Sequence, residues 1–153
     1  MFKQLSHISR CVFSIQLLLV ALYLSTACGA ASVARPENVA GTYFISSINR
    51  RPLPAPISQD SFKTIETISG ELRLATDGSF QSTSVIRETL VGAAPVVRDI
   101  QSAGTYTSSG NEVRLTNTLT QSTTRLTFSG DRLTYLSDLG NSYELQKVAI
   151  INR

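Results

Sequence analysis

From Gly41 onward the chain alternates, and this period of two constrains the fold more than any other feature. Val113 and Leu115 sit between Glu112, Arg114 and Thr116, and Leu126 and Phe128 between Arg125 and Thr127. Leu72 and Leu74 oppose Glu71 and Arg73, and Tyr143 and Leu145 oppose Glu144 and Gln146. Such spacing sends alternate side chains to opposite faces of a strand. No stretch of ten or more residues in this region carries a helical stripe. Turn signals cut the runs apart: Asp77-Gly78, Ser109-Gly110-Asn111, Ser129-Gly130-Asp131 and Gly140-Asn141. Asp-Gly is a two-residue hairpin signal, because both central positions tolerate positive φ.

The pattern predicts eight strands, at 41–49, 64–75, 79–88, 97–108, 112–118, 123–129, 132–138 and 142–149. Every connection except the first is short enough to join neighbours. The expected class is therefore all-β, an eight-stranded antiparallel up-and-down barrel, which has no free edge. A two-sheet β-sandwich is the alternative. The three tightest turns would share one end, and that end would also receive the start of the first strand. The long 50–63 and 89–96 connections would form a mouth at the other end. Three prolines, Pro52, Pro54 and Pro56, stiffen the first of these loops.

The first forty residues read differently. Lys3 and Arg10 precede a mostly apolar run from Val12 to Leu24, and Ser-Thr-Ala-Cys-Gly follows. This is the three-part layout of a secretory signal, in a run too short to span a bilayer comfortably. The expected organisation is a signal peptide over 1–27, a tether over 28–40, a barrel domain over 41–149 and a tail over 150–153. Lys3 and Arg10 fall in the leader and no acid does, so 14 basic residues drop to 12 against an unchanged 11 acidic. That near-neutral balance, with its bases scattered, carries no electrostatic footprint for nucleic acid. Of the two cysteines, Cys11 lies in the leader, so a mature chain has no intrachain disulfide.

Leu24-Ser25-Thr26-Ala27-Cys28 resembles a bacterial lipobox. The resemblance implies cleavage after Ala27 and a diacylglycerol on Cys28, placing the protein on the cell envelope by a lipid anchor. In a cell with two membranes, Gly29 after the cysteine resembles outer-membrane-directed lipoproteins, which lack Asp there, and implies the outer membrane. Ordinary cleavage after Ala30 or Ala31, giving a secreted or periplasmic soluble protein, is the alternative.

Gly41-Thr42-Tyr43, opening the first strand, resembles the Gly-x-Trp motif of lipocalins and their bacterial lipocalin-like relatives. Tyr stands here for Trp, and Lys147 for the usual arginine near the last strand. The resemblance implies a barrel closed at one end by Tyr43 packing under Lys147. It also implies a small apolar or amphipathic ligand inside. The residues expected to meet a ligand are Arg50, Leu53, Leu90 and Val91 in the mouth loops, with the aromatics Tyr43, Tyr106, Phe128, Tyr135 and Tyr143. These aromatics also read as plain core.

The only histidine is His7, in the leader. Without it a Ser-His-Asp triad, a Cys-His pair and a histidine-ligated zinc are excluded from the mature chain. Glu66 and Glu71 lie five residues apart on one strand, so a regular strand sends them to opposite faces. The glycines fall singly at turns and form no phosphate cradle. The reading is a non-enzymatic binding protein with no cofactor and no metal. The second reading is a protein-interaction or inhibitor module with a filled barrel, acting through the 50–63 and 89–96 loops. A third is an enzyme using carboxylates and tyrosine.

Overall fold

The structure, a computed structural model, describes residues 39–149. The expected signal peptide, Cys28, all but the last two residues of the tether, and the tail over 150–153 lie outside the described residues. The described chain forms ten strands: β1 (Gly41–Ile48), β2 (Arg51–Pro52), β3 (Ala55–Gln59), β4 (Lys63–Leu74) and β5 (Ser79–Leu90) come first. β6 (Val96–Ser109), β7 (Glu112–Asn117), β8 (Thr123–Ser129), β9 (Arg132–Leu136) and β10 (Ser142–Lys147) follow.

Eight of these close an antiparallel up-and-down barrel. Neighbours in sequence pair from β4 round to β10, and β1 joins β10 on one side and β4 on the other. The closure is directional. Gly41 lies opposite Leu74, at the 75–78 turn, and the Lys147 amide donates to the Asp131 carbonyl at 2.7 Å. The chain thus enters the barrel beside the tight turns.

The expected 50–63 loop is mostly strand. Asn49 and Arg50 take positive φ (52° and 65°) and turn β1 into β2, a two-residue hairpin. β3 pairs with β4 through Ala55–Thr67 and Pro56–Glu66. The prolines are tolerated because both short strands lie at sheet edges, where a missing N–H breaks no second ladder. The 89–96 loop also shrinks, since β5 runs to Leu90 and β6 starts at Val96.

Besides one in the edge strand β3, between Pro56 and Ser58, two bulges in the barrel strands reset the facing of residues. One lies between Ile45 and Ser47 in β1, the other between Thr67 and Ser69 in β4. An inserted residue shifts every later side chain by one step. Thr67 (2 % exposed) and Leu72 (4 %) therefore both face inward, although one is odd and the other even. Glu66 and Glu71 then share the outer face, contrary to expectation. Glu66 is held there by Arg87, whose Nη2 lies 2.7 Å from Glu66 Oε2.

The core fills the closed end. Val39, Tyr43, Leu72, Leu74, Phe80, Tyr106, Val113, Leu115, Leu126, Leu133 and Leu145 form one buried cluster. Burying each of the large aliphatics contributes roughly 1.5–3 kcal/mol. Gly104 has no room for a side chain: a Cβ there would overlap the Thr116 carbonyl oxygen and lie 2.8 Å from Phe80 Cε1.

The barrel wall is uneven. β4, β5 and β6 have 12, 12 and 14 residues, against 5–8 in β1 and β7 to β10. Their far ends rise beyond the rim. β6 pairs with β7 only from Gly104 on, so among the described residues 96–102 has a strand on one side alone.

Candidate functional site

The inward positions change character along the barrel. At the closed end they are large and apolar. Above that floor β5 presents Ser82 and Ser84, β6 Ser102, β7 Asn117 and β8 Thr124, side chains too small to meet across the lumen. A cavity of about 170 Å³ remains there. Its floor and one wall are Ile45, Leu72, Phe80, Leu115, Leu126, Tyr135 and Leu145. Its other wall is Ser82, Ser84, Ser102, Asn117, Ser122 and Thr124. Glu71, an exposed outer-face residue, also borders it.

The polar wall is ordered by hydrogen bonds. Asn117 Nδ2 donates to Ser102 Oγ at 2.6 Å. Asn117 Oδ1 accepts from the amides of Leu119 (2.8 Å) and Thr120 (3.0 Å), which folds the 118–122 turn over the cavity rim. A second, open recess of about 580 Å³ lies where β6 parts from β7, against Thr118 and Leu119. Ser82 and Ser102 border both spaces.

The sequence candidates separate into three places. Tyr43 and Tyr106 plug the closed end. The Tyr43 hydroxyl donates to the Val39 carbonyl at 2.6 Å, and the Tyr106 hydroxyl to Ala75 at 2.7 Å. Lys147 Nζ lies 5.7 Å from the centre of the Tyr43 ring, within cation–π range. Burial pushes the Tyr43 phenol up from 10.0 to about 12, with Tyr106 and Asp131 adding to the shift. Burial also raises Tyr106, with Asp77 contributing.

Tyr135 lines the cavity and stacks on Tyr143, ring centres 4.6 Å apart and 8° from parallel. Burial raises both phenols; Tyr143 adds to the effect on Tyr135, while a hydrogen bond with Thr67 offsets part of it at Tyr143. Phe128 packs against the core cluster outside the cavity lining. Arg50, Leu53, Leu90 and Val91 do not line the cavity, nor does any residue of 50–63 or 89–96. Arg50 is used in the β1–β2 turn, and Leu90 and Val91 stand on the hairpin tip beyond the rim.

Sequence reasoning missed two features. The first is the serine wall, although alternation in Phe80-Gln81-Ser82-Thr83-Ser84 places hydroxyls on the face that Phe80 takes inward. The second is an amide clasp at the rim. Asn49 Nδ2 donates to Asn141 Oδ1 (2.7 Å), and Asn141 Nδ2 to the Ile57 carbonyl (2.8 Å). The Ser142 amide donates to Asn49 Oδ1 at 2.9 Å. The β1–β2 turn, β3 and the β9–β10 connection are tied together there, and nothing short of the register reveals it.

Among the described residues the site joins an apolar floor to a hydroxyl wall; no protein-family model, curated protein or solved structure matches the chain.

Proposed function

We propose that this protein is a non-enzymatic, lipid-anchored envelope protein whose lipocalin-like barrel holds a small amphipathic molecule. The observation that carries this reading is the two-sided cavity. Its apolar floor rewards removal of a hydrocarbon or ring from water, and its hydroxyls and Asn117 fix a polar end. Apart from bordering Glu71 its lining is neutral, which suits an uncharged ligand. A space of this size matches a single ring, by comparison with a dry cavity of about 150 Å³ that takes benzene. The anchor rests on the lipobox-like Leu24–Cys28 and the apolar run before it.

Native mass spectrometry of protein extracted from its own membrane tests both halves. The expected result is a mass for a chain starting at an acylated Cys28, with a small molecule bound. Ser84→Leu with Ser102→Leu fills the lumen and is expected to abolish the bound mass while the barrel stays folded. A ligand retained by the filled variant refutes the lumen as the site. A mature chain starting after Ala30 or Ala31 refutes the anchor. The interaction-module reading has one observation in its favour, the exposed Leu90 (47 %) and Val91 (77 %). It requires a protein partner that the lumen-filled variant still binds.

A further inference from the structure

The polar wall of the lumen has a direction as well as a polarity, and the direction narrows the class of ligand. Asn117 is held by its backbone and its side chain together. Its amide donates to the Ser122 carbonyl and its carbonyl accepts from the Gln121 amide, both at 3.0 Å. Its Oδ1 accepts from the amides of Leu119 (2.8 Å) and Thr120 (3.0 Å). An amide oxygen has two lone pairs, and both are taken. Those two bonds also settle which end of the side chain is oxygen and which is nitrogen. Nδ2 gives one proton to Ser102 Oγ at 2.6 Å. What Asn117 keeps for the cavity it borders is a second N–H.

Ser102 is biased in the same sense. Its oxygen receives the Asn117 proton, and a hydroxyl that accepts a hydrogen bond donates more strongly. Its own proton has no acceptor among the described residues. Glu71 borders the same space, so its negative charge opposes a carboxylate there.

We propose that the lumen selects a neutral hydrogen-bond acceptor, a ketone, ester or lactone, through the adjacent donors of Asn117 and Ser102. The inference rests on the reading of the lumen as a ligand site. A carbonyl oxygen offers two lone pairs to those two protons and carries no proton of its own. An alcohol of the same shape brings a proton for which Asn117 has no lone pair left. The Asn117 side chain is fixed before a ligand arrives, so binding does not have to order it.

Asn117→Asp reverses the direction with little change of shape. The carboxylate still accepts from Leu119 and Thr120, which retains the 118–122 turn, and those two backbone donors keep it ionised. Having no proton to give, it accepts from Ser102 instead. Both groups then turn lone pairs to the ligand. Cyclohexane, cyclohexanone and cyclohexanol are titrated at neutral pH into the full chain and into this variant. Binding is read from the NMR shifts of the Leu115, Leu126 and Leu145 methyl groups, which line the cavity. The parent is expected to bind the ketone about three to ten times more tightly than the alcohol, the effect of one neutral hydrogen bond. The variant is expected to reverse that order and to bind cyclohexane as the parent does.

A parent that binds the alcohol as tightly as the ketone overturns the proposal, and so does a folded variant that keeps the parent's order. The parent's order is measured on the unaltered chain, so a variant that fails to fold does not remove the test. Cyclohexane separates the two readings. If it moves the lining methyls while the ketone has no advantage, the lumen stands as the site and the acceptor selection alone falls. If none of the three probes moves them, the lumen is not a ligand site and both fall.

Discussion

Replacing Tyr43 with phenylalanine isolates one hydrogen bond and one ionisation at the closed end. Tyr43 and Val39 are both 0 % exposed, so the Val39 carbonyl loses its phenol donor with no water to replace it. An unsatisfied buried acceptor costs about 1–3 kcal/mol, and the variant is expected to be less stable by that amount at pH 7. The pH dependence sharpens the test. With the phenol raised to about 12 in the folded chain and near 10.0 when unfolded, its contribution is complete below pH 10. It then drains away as pH rises through the folded value, about 1.4 kcal/mol being lost by pH 11 and nearly 3 in all. Phenylalanine has no such term. Tyr135 and Tyr143, whose shifts do not involve Tyr43, cancel in the difference; Tyr106, which interacts with Tyr43, is the one other phenol whose titration the substitution alters. Urea unfolding at pH 7, 9, 10 and 11 should therefore show the gap between the two proteins closing above pH 10. A gap that is absent at pH 7, or that stays constant to pH 11, refutes the account of Tyr43 as a buried, donating phenol.

Other substitutions have different signatures. Gly104→Ala forces a methyl into the Thr116 backbone, which cannot rotate away; a loss of more than about 3 kcal/mol is expected by chemical denaturation, since overpacking against rigid neighbours costs at least 1–3. Leu133→Ala, at a 0 % exposed position, should lose about 2–5 kcal/mol in the same assay. Arg87→Met removes the partner of Glu66, but both side chains are partly solvated (38 % and 24 %). Thermal unfolding should then change by the equivalent of no more than about 1 kcal/mol.

The eight barrel strands and their order were legible because alternation and turn chemistry marked the same breaks, although Asp77-Gly78 closes a four-residue turn over 75–78, with positive φ at Gly78 and not at Asp77, rather than a two-residue hairpin. Val113, Leu115, Leu126, Leu133 and Leu145 all face the core as the period of two requires. Asp77-Gly78, Gly110 and Gly130 mark turns with φ of 84°, 59° and 65° at the glycines. What escaped was anything that breaks the period. The bulges at Ile45–Ser47 and Thr67–Ser69 involve Thr, Ser and Ile, residues equally at home in a regular strand. Only pairing with the neighbouring strand exposes the extra residue, so the facing of Glu66 was misread. The site was less legible than the fold. Aromatics attract attention as ligand contacts, yet Tyr43 and Tyr106 are spent on closure. The cavity exists because Ser82, Ser84 and Ser102 are small, and an unfilled volume leaves no motif.

The one-sided stretch of β6 has a consequence for how copies of this protein behave in a crowd. The Ala103 carbonyl accepts from Thr118, on the β7 side, whereas the Tyr106 amide donates to Gly78 on the other. Odd-numbered residues therefore turn their backbone groups outward, and Val97, Asp99 and Gln101 offer a short ladder to any passing strand. Two copies using all of those groups, antiparallel about a two-fold axis, would set Asp99 directly against Asp99. Like charges placed opposite each other oppose pairing, so a single carboxylate stands guard at the centre of the template. Its replacement by valine leaves Val96, Val97 and Ile100 around an unguarded ladder. The variant is expected to form β-rich aggregates that light scattering detects and that the parent chain at the same concentration does not.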